Sequence, residues 1–259
     1  MRPAIVALAV SVCIAGCASP SSPKADTGRH IDIVTSPPAA PDSAFYAMDD
    51  DGQKVVHAMQ MVQDGKIQAA IDGPINDVIA KYEKEYAGKQ VYSARGGAEG
   101  ILYGLLGAAD AAKSSTKARA HIIVIGPSWA MAYWARSYAL TEMNRTTEAE
   151  ADLRRALALS PMDSQFKNEL AYLLMRRGEI SESLTLFQEA EANAELTSPY
   201  PVDIKCVALR GQGYVLVELH RLDDAEAAYR KCMALVPDEP KSKAELGYIA
   251  EQRKKAASK

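Results

Sequence analysis

Reactivity in this chain, if it has any, must begin from four cysteines, four histidines and a few acidic clusters. Cys13 and Cys17 stand near the N-terminus, and Cys206 and Cys232 stand far along the chain. His30, His57, His121 and His220 show no metal-ligand spacing. Asp49-Asp50-Asp51-Gly52 is acidic but lacks the alternating ligands and the distant Glu of a calcium loop, and reads as a solvated turn before a helix. Asp223, Asp224 and Glu226 read as helix-start charges. Asn144-Arg145-Thr146 has the form of a glycosylation sequon and falls in a turn. No nucleophile elbow, phosphate loop or zinc-protease helix is present. The residues therefore point away from an enzyme, from a metal site and from a cofactor. What remains is sulfur chemistry and contact surface.

The sulfur chemistry gives an address. Arg2 supplies a positive n-region, and Ala4 to Ala15 is an apolar stretch too short to span a bilayer. It runs into Ile14-Ala15-Gly16-Cys17 and then Ala18. This resembles the bacterial lipobox, in which a branched apolar residue and two small ones precede a cysteine. The resemblance implies that 1–16 is a signal peptide, that Cys17 takes a diacylglyceryl group, and that an amide-linked acyl chain such as palmitate follows. Two or more acyl chains anchor stably, where one is marginal. Ala18 in place of Asp favours the outer membrane. Residues 17–43, with Pro20, Pro23, Pro37, Pro38 and Pro41, read as a lipidated disordered tether.

The elements beyond it are helical. Over 259 residues the composition is 48% hydrophobic and 7% aromatic with net charge -3, so no basic surplus argues for nucleic acid. A small residue followed by tyrosine recurs at Ser137-Tyr138, Ala171-Tyr172, Gly213-Tyr214 and Gly247-Tyr248, and the tyrosines fall 34, 42 and 34 residues apart. Around the first stand Tyr133, Leu140, Ala149, Leu153, Ala156 and Pro161. Around the second stand Leu170, Leu174, Gly178, Ser183, Phe187 and Ala190, and around the third Leu216, Ala225, Tyr229, Cys232 and Pro237. From Ala130 to Lys259 the chain resembles a tetratricopeptide-repeat protein. The resemblance implies an all-α, right-handed helix-pair solenoid. Ser137 would face Ala149, Ala171 would face Ser183 and Gly213 would face Ala225, because two helices cross closely only where both residues are small. Stacked pairs then build the core that no pair makes alone. The segment from Pro240 reads as a capping helix. The wider spacing between Tyr172 and Tyr214 leaves eight extra residues around Ser198–Pro201, read as a loop or a lengthened helix that bends or splits the stack.

Residues 44–95 read as an N-terminal helical region, with a helix pair over Lys54–Ala70 and Pro74–Tyr86 and a connector at Val91–Arg95. Residues 96–259 read as the solenoid, with Gly96–Trp129 as a degenerate repeat. That register makes His121–Ile125 helical, although its β-branched run alone favours a strand. Gly97, Gly100, Gly104 and Gly107 fall on one helix side, and each costs about 0.8–1 kcal/mol relative to alanine. The expected compensation is close packing of the helix Pro74–Tyr86 against this bare stripe.

In helix-pair repeats the first helix lines the concave surface. Its second, fifth, ninth and twelfth places give Met131, Trp134 and Tyr138, then Gln165, Asn168, Tyr172 and Met175, then Val207, Arg210, Tyr214 and Val217, with Tyr248 at the end. Tyr, Trp and Arg are the residues of binding hot spots. An extended peptide or a partner helix would lie in this groove, with Asn168 on its backbone and Arg210 on a carboxylate. Cys206 and Cys232 occupy the first and twenty-seventh places of the third repeat, which face each other, and the periplasm is oxidising, so a disulfide is expected.

The expected function is a lipid-anchored adaptor or assembly factor of the bacterial outer membrane. It would face the periplasm and bind a protein or peptide of the envelope. Two rivals stand beside it: a small-ligand binder or enzyme using a pocket at Gly97–Gly107, Trp129 and Trp134, and a purely structural tether of an envelope complex.

Overall fold

A computed structural model describes residues 31–35, 48–113 and 120–257. The signal peptide, Cys17 and the tether apart from 31–35 lie outside the described residues. The fold is a helix-pair solenoid preceded by a helical region and a small sheet.

The elements before the solenoid are β1 (Ile31–Thr35), α1 (Asp50–Gln63), α2 (Ile67–Ala70), a π-helical turn (Ile71–Ile75), α3 (Asn76–Glu85), β2 (Gln90–Ser93), α4 (Gly97–Lys113) and β3 (Ala120–Ile125). The three strands form a parallel sheet in the order β1-β3-β2. This corrects four readings. The Gly96–Trp129 segment is not a degenerate repeat: β2, α4 and β3 make a strand-helix-strand crossover. His121–Ile125 is strand. Val91–Arg95 is largely strand, not a connector. Ile31–Thr35, inside the stretch read as tether, pairs along β3.

The physical reason is burial on both faces of β3. Ile122 and Val124 pack with Tyr92 and Tyr103 beneath α4. Val91, Ile123 and Ile125 point the other way, to the core containing Trp129 and Ala130. A strand covered on both sides needs a continuous apolar run, with no alternation to announce it. Ile31, Ile33, Val34 and Thr35 supply the same β-branched character in β1.

Gly107 of the glycine stripe faces this sheet, and α4 packs on the strands rather than on the helix Pro74–Tyr86. Gly100, Gly104 and Gly107 are buried and Gly97 is half-buried. A Cβ on Gly107 would stand 2.9 Å from side-chain atoms of both Ile122 and Tyr92. The bare stripe lets α4 settle on β2 and β3, with the Tyr92 and Tyr103 rings 5.5 Å apart. Helix α3 packs instead on α1 and α5. The helix break also moves. It falls at Gly65, whose φ of +79° suits a residue without a side chain, while Pro74 lies within a run that is helical from Ile67 to Glu85 except at Gly73.

The solenoid comprises α5 (Ser128–Glu142) with α6 (Thr146–Leu159), α7 (Ser164–Arg177) with α8 (Ile180–Thr197), α9 (Pro201–Glu218) with α10 (Leu222–Leu235), and the capping helix α11 (Pro240–Ala257). The small-residue crossings form as expected: Ser137, Ala149, Ala171, Ser183 and Ala225 are buried, and the Ser183 hydroxyl donates to the Ala171 carbonyl at 2.8 Å. Leu153, Phe187 and Tyr229 fill the core between pairs. Each pair turns through one left-handed residue, Asn144, Gly178 or His220. At each turn the following N–H reaches back to a helix carbonyl, Arg145 to Leu140, Glu179 to Leu174 and Arg221 to Leu216. This is the Schellman helix ending, and Gly65 with Lys66 repeats it after α1.

The eight extra residues form no intruding loop. α8 and α9 each have 18 residues where α6, α7 and α10 have 14, so the insertion adds about one turn to each of two antiparallel neighbours. They pack on one another along that added length, and the stack continues without a break.

Cys206 and Cys232 are joined by a disulfide between α9 and α10, with Cα atoms 4.7 Å apart. In the chain-entropy model a loop of this size stabilises by about 3–4 kcal/mol. No helix of the described residues is long and apolar enough to cross a membrane.

Candidate functional site

Two polar joints fix the groove's walls. Asp163 caps α7, its carboxylate accepting from the Phe166 N–H at 3.0 Å. The same side chain takes the Arg95 guanidinium at 2.5 Å, which ties the sheet to the second repeat. Glu239 has the equivalent post before α11, accepting from the Ser242 N–H at 2.6 Å and pairing with Arg210 at 3.4 Å. Such charge-assisted caps satisfy helix N–H groups that would otherwise have no partner.

Behind Arg95 lies a buried carboxyl, Glu99. It accepts from the Tyr103 hydroxyl at 2.5 Å and from the Arg95 N–H at 2.7 Å, and the Tyr103 oxygen accepts from the Met162 N–H at 3.1 Å. Burial, reinforced by the negative charge of Asp163, pushes Glu99 up to about 7 against the pull of these hydrogen bonds. The consequence for stability has a definite sign. Between the ordinary carboxylate value and about pH 7 the unfolded chain ionises at Glu99 before the folded chain does, so stability falls as pH rises through that window. The loss should amount to about 3 kcal/mol. Urea midpoints measured from pH 4.5 to 7.5 should decline in the wild type, and Glu99→Gln should flatten the decline. An equal slope in both proteins would refute the assignment.

The predicted groove residues divide into two groups. Met131 is buried in the core shared with α1 and α3, and Trp134 and Tyr138 pack partly buried against that core, their rings 6.5 Å apart. Gln165 is held by the Arg95 guanidinium at 3.2 Å. The N-terminal helices thus cover the first-repeat end of the expected surface. Trp129 lies in an aromatic stack with Tyr82, Tyr86 and Tyr133 at 5.7 to 6.5 Å, and so lines core rather than a pocket with the glycines.

Asn168, Tyr172, Met175, Val207, Arg210 and Tyr214 come together around one cavity of about 760 Å³. Tyr172 and Tyr214 are 46% and 49% exposed, far more than structural tyrosines such as Tyr103 and Tyr229. The cavity bridges α7 and α9, so the expected division of the groove at Ser198–Pro201 does not occur there. Tyr248 is also about half exposed but does not line this cavity. Asn168 is 5% exposed, its amide donating to the Ile204 carbonyl at 3.3 Å while its Oδ1 has no partner among the described residues.

Several lining residues escaped the sequence reading. Lys241 and Ala244 are the second and fifth places of α11, so the repeat register extended by one helix would have found them. Glu169, Gly211 and Glu245 occupy the sixth place, which was not counted. Phe187 enters from α8, and Gly211 exists because its missing side chain makes room for that ring. Elsewhere the ligand atoms of Cys206, Cys232 and Glu239 lie within 4.8 Å of one another, but sulfurs bonded to each other offer no thiolate to a metal.

The helix-pair stack with its concave aromatic cavity defines a class, and comparison gives the same one. Residues 130–196 match the tetratricopeptide repeat family, beginning at the residue where the sequence register begins. The matched segment carries tetratricopeptide repeats, in the part of the chain that folds as the helix-pair solenoid. Among solved structures it is similar to PilW, a type IV pilus biogenesis factor, at 17% identity over 80% of this chain and 71% of that one, with a TM-score of 0.53. It is similar to pilF of Pseudomonas aeruginosa at 12% identity over 79% and 69%, with a TM-score of 0.55. A third, MamA RS-1, shows 14% identity over 82% and 92%, with a TM-score of 0.50. At such identities the likeness is one of fold. No curated protein matches the chain. The fold serves protein–protein interaction or assembly, and proteins built on it are as a rule scaffolds without catalytic activity.

Proposed function

We propose that the chain is a lipid-anchored adaptor or assembly factor of the bacterial outer membrane, facing the periplasm, non-enzymatic, and binding a partner polypeptide in the cavity between α7 and α9. One observation carries the binding site: Tyr172 and Tyr214 stand half exposed on one cavity, although tyrosine is a residue that buries well. Rigid aromatic side chains give large contact area at low entropic cost. The paired variant Tyr172→Ala/Tyr214→Ala should lose a specific partner in pull-downs from envelope extracts while its thermal midpoint stays near that of the wild type. An unchanged partner set would move the binding site elsewhere. PilW, described as a type IV pilus biogenesis factor, shares the fold alone.

The address rests on the lipobox-like run ending at Cys17 and on the disulfide, a bond that an oxidising compartment maintains. Cys17→Ala should shift the protein from the membrane fraction to the soluble fraction, since the acyl chains supply the anchor. Retention of that variant in the membrane fraction would contradict the lipid anchor.

A further inference from the structure

The cavity has a charge pattern that the fold itself does not need. The sixth places of the consecutive first helices α7, α9 and α11 carry Glu169, Gly211 and Glu245, and all three line the cavity. Both glutamates are half-buried, and neither has a hydrogen-bond or ion-pair partner among the described residues. Burial raises the pKa of each. A half-buried carboxylate without a partner is costly to maintain. The cations nearby are disposed differently. Arg210 is paired with Glu239 at 3.4 Å, Arg176 is exposed over the Tyr172 ring at 5.9 Å, and Lys241 is exposed. The rim is therefore positive and solvated, while the wall carries negative charge without a partner.

An independent observation points the same way. Asn168 is 5% exposed, lines the same cavity, and leaves Oδ1 without a donor among the described residues. Three groups around one cavity thus accept hydrogen bonds and receive none. A complementary ligand must bring N–H donors and positive charge. It must also tolerate apolar and aromatic walls, which suit the methylene stem and cationic head of a long basic side chain.

We infer that the groove recognises a segment of its partner protein through a lysine or arginine side chain held by Glu169 and Glu245, with a neighbouring backbone N–H donated to Asn168 Oδ1. This rests on the groove being the partner site and adds the chemistry of what enters it.

Fluorescence anisotropy of the full-length protein in detergent, against short degenerate peptide pools whose central residue is fixed as Lys, Gln or Glu, tests it. The Lys pool should bind roughly tenfold tighter than the Glu pool and weaken with added salt. Glu169→Gln/Glu245→Gln should bring the pools together, and these near-isosteric changes relieve a buried charge rather than remove packing. Tighter binding of the Glu pool, or a Lys preference unchanged in the double variant, would overturn the inference. In that case loss of all binding in Tyr172→Ala/Tyr214→Ala would still uphold the groove. Absence of binding by every pool to the wild type would overturn both.

Discussion

Gly213→Leu should lower the thermal midpoint by about 10 °C, corresponding to about 3 kcal/mol or more. A Cβ at Gly213 would lie 2.5 to 2.7 Å from atoms of the Tyr229 ring. Tyr229 has no exposed surface and sits in the core formed with Leu216, Ala225 and Ile249. The ring has nowhere to go, so α9 must separate from α10. Leucine is the better helix former by about 1 kcal/mol, which makes the sign of the result informative. If propensity governed, the variant would be stabilised. If the close crossing governs, it is destabilised, with Gly213→Ala intermediate. A midpoint at or above the wild-type value for Gly213→Leu would show that the crossing does not hold the third repeat together.

Asp163→Ala should destabilise by about 3–5 kcal/mol, because it leaves a buried guanidinium without its counter-charge and also removes a helix cap worth about 1 kcal/mol. The Arg95 side chain is 15% exposed and that of Asp163 1%. Among the described residues the other acidic neighbour of Arg95 in the network is Glu99, whose raised pKa owes part of its shift to Asp163. Asp163→Asn separates the contributions. It keeps a side-chain oxygen for the Phe166 N–H but removes the charge. It should therefore cost less than alanine, and it should move the Glu99-linked fall in stability to lower pH. Denaturant midpoints across pH report both effects. Equal stability of Asp163→Ala and the wild type would show the joint between sheet and solenoid to be idle.

The solenoid was legible because its constraints recur. Small residues at Ser137, Ala171 and Gly213 and aromatic or aliphatic partners at Leu153, Phe187 and Tyr229 must appear wherever a helix pair crosses, so each repeat states the same rule again. The disulfide followed from the same register. The sheet was not legible, for reasons that are equally physical. A stripe of glycines permits close approach by a helix or by a sheet, and Gly97 to Gly107 cannot say which. His121–Ile125 is apolar on both faces, so it carries no strand alternation, and β1 is a five-residue strand set among prolines. The insertion near Ser198 looked like a loop because an added turn in each of two helices leaves no gap in the helical pattern. In the groove, the four counted places found Tyr172 and Tyr214 but not Glu169 or Glu245, which stand one place from the nearest counted position. At the other end, Met131, Trp134 and Tyr138 kept the right register and acquired a different fate, because α1 and α3 cover them and no repeat pattern foretells that cover.

Site-specific photocrosslinking in intact cells tests the central claim most directly. A benzoylphenylalanine placed at Val207, which is exposed on the cavity wall, should yield a discrete adduct with one partner polypeptide. The same group at Met143, exposed at the turn after α5 and away from the cavity, should yield none. An adduct from Met143 and none from Val207 would contradict the groove as the site where this protein meets its partner.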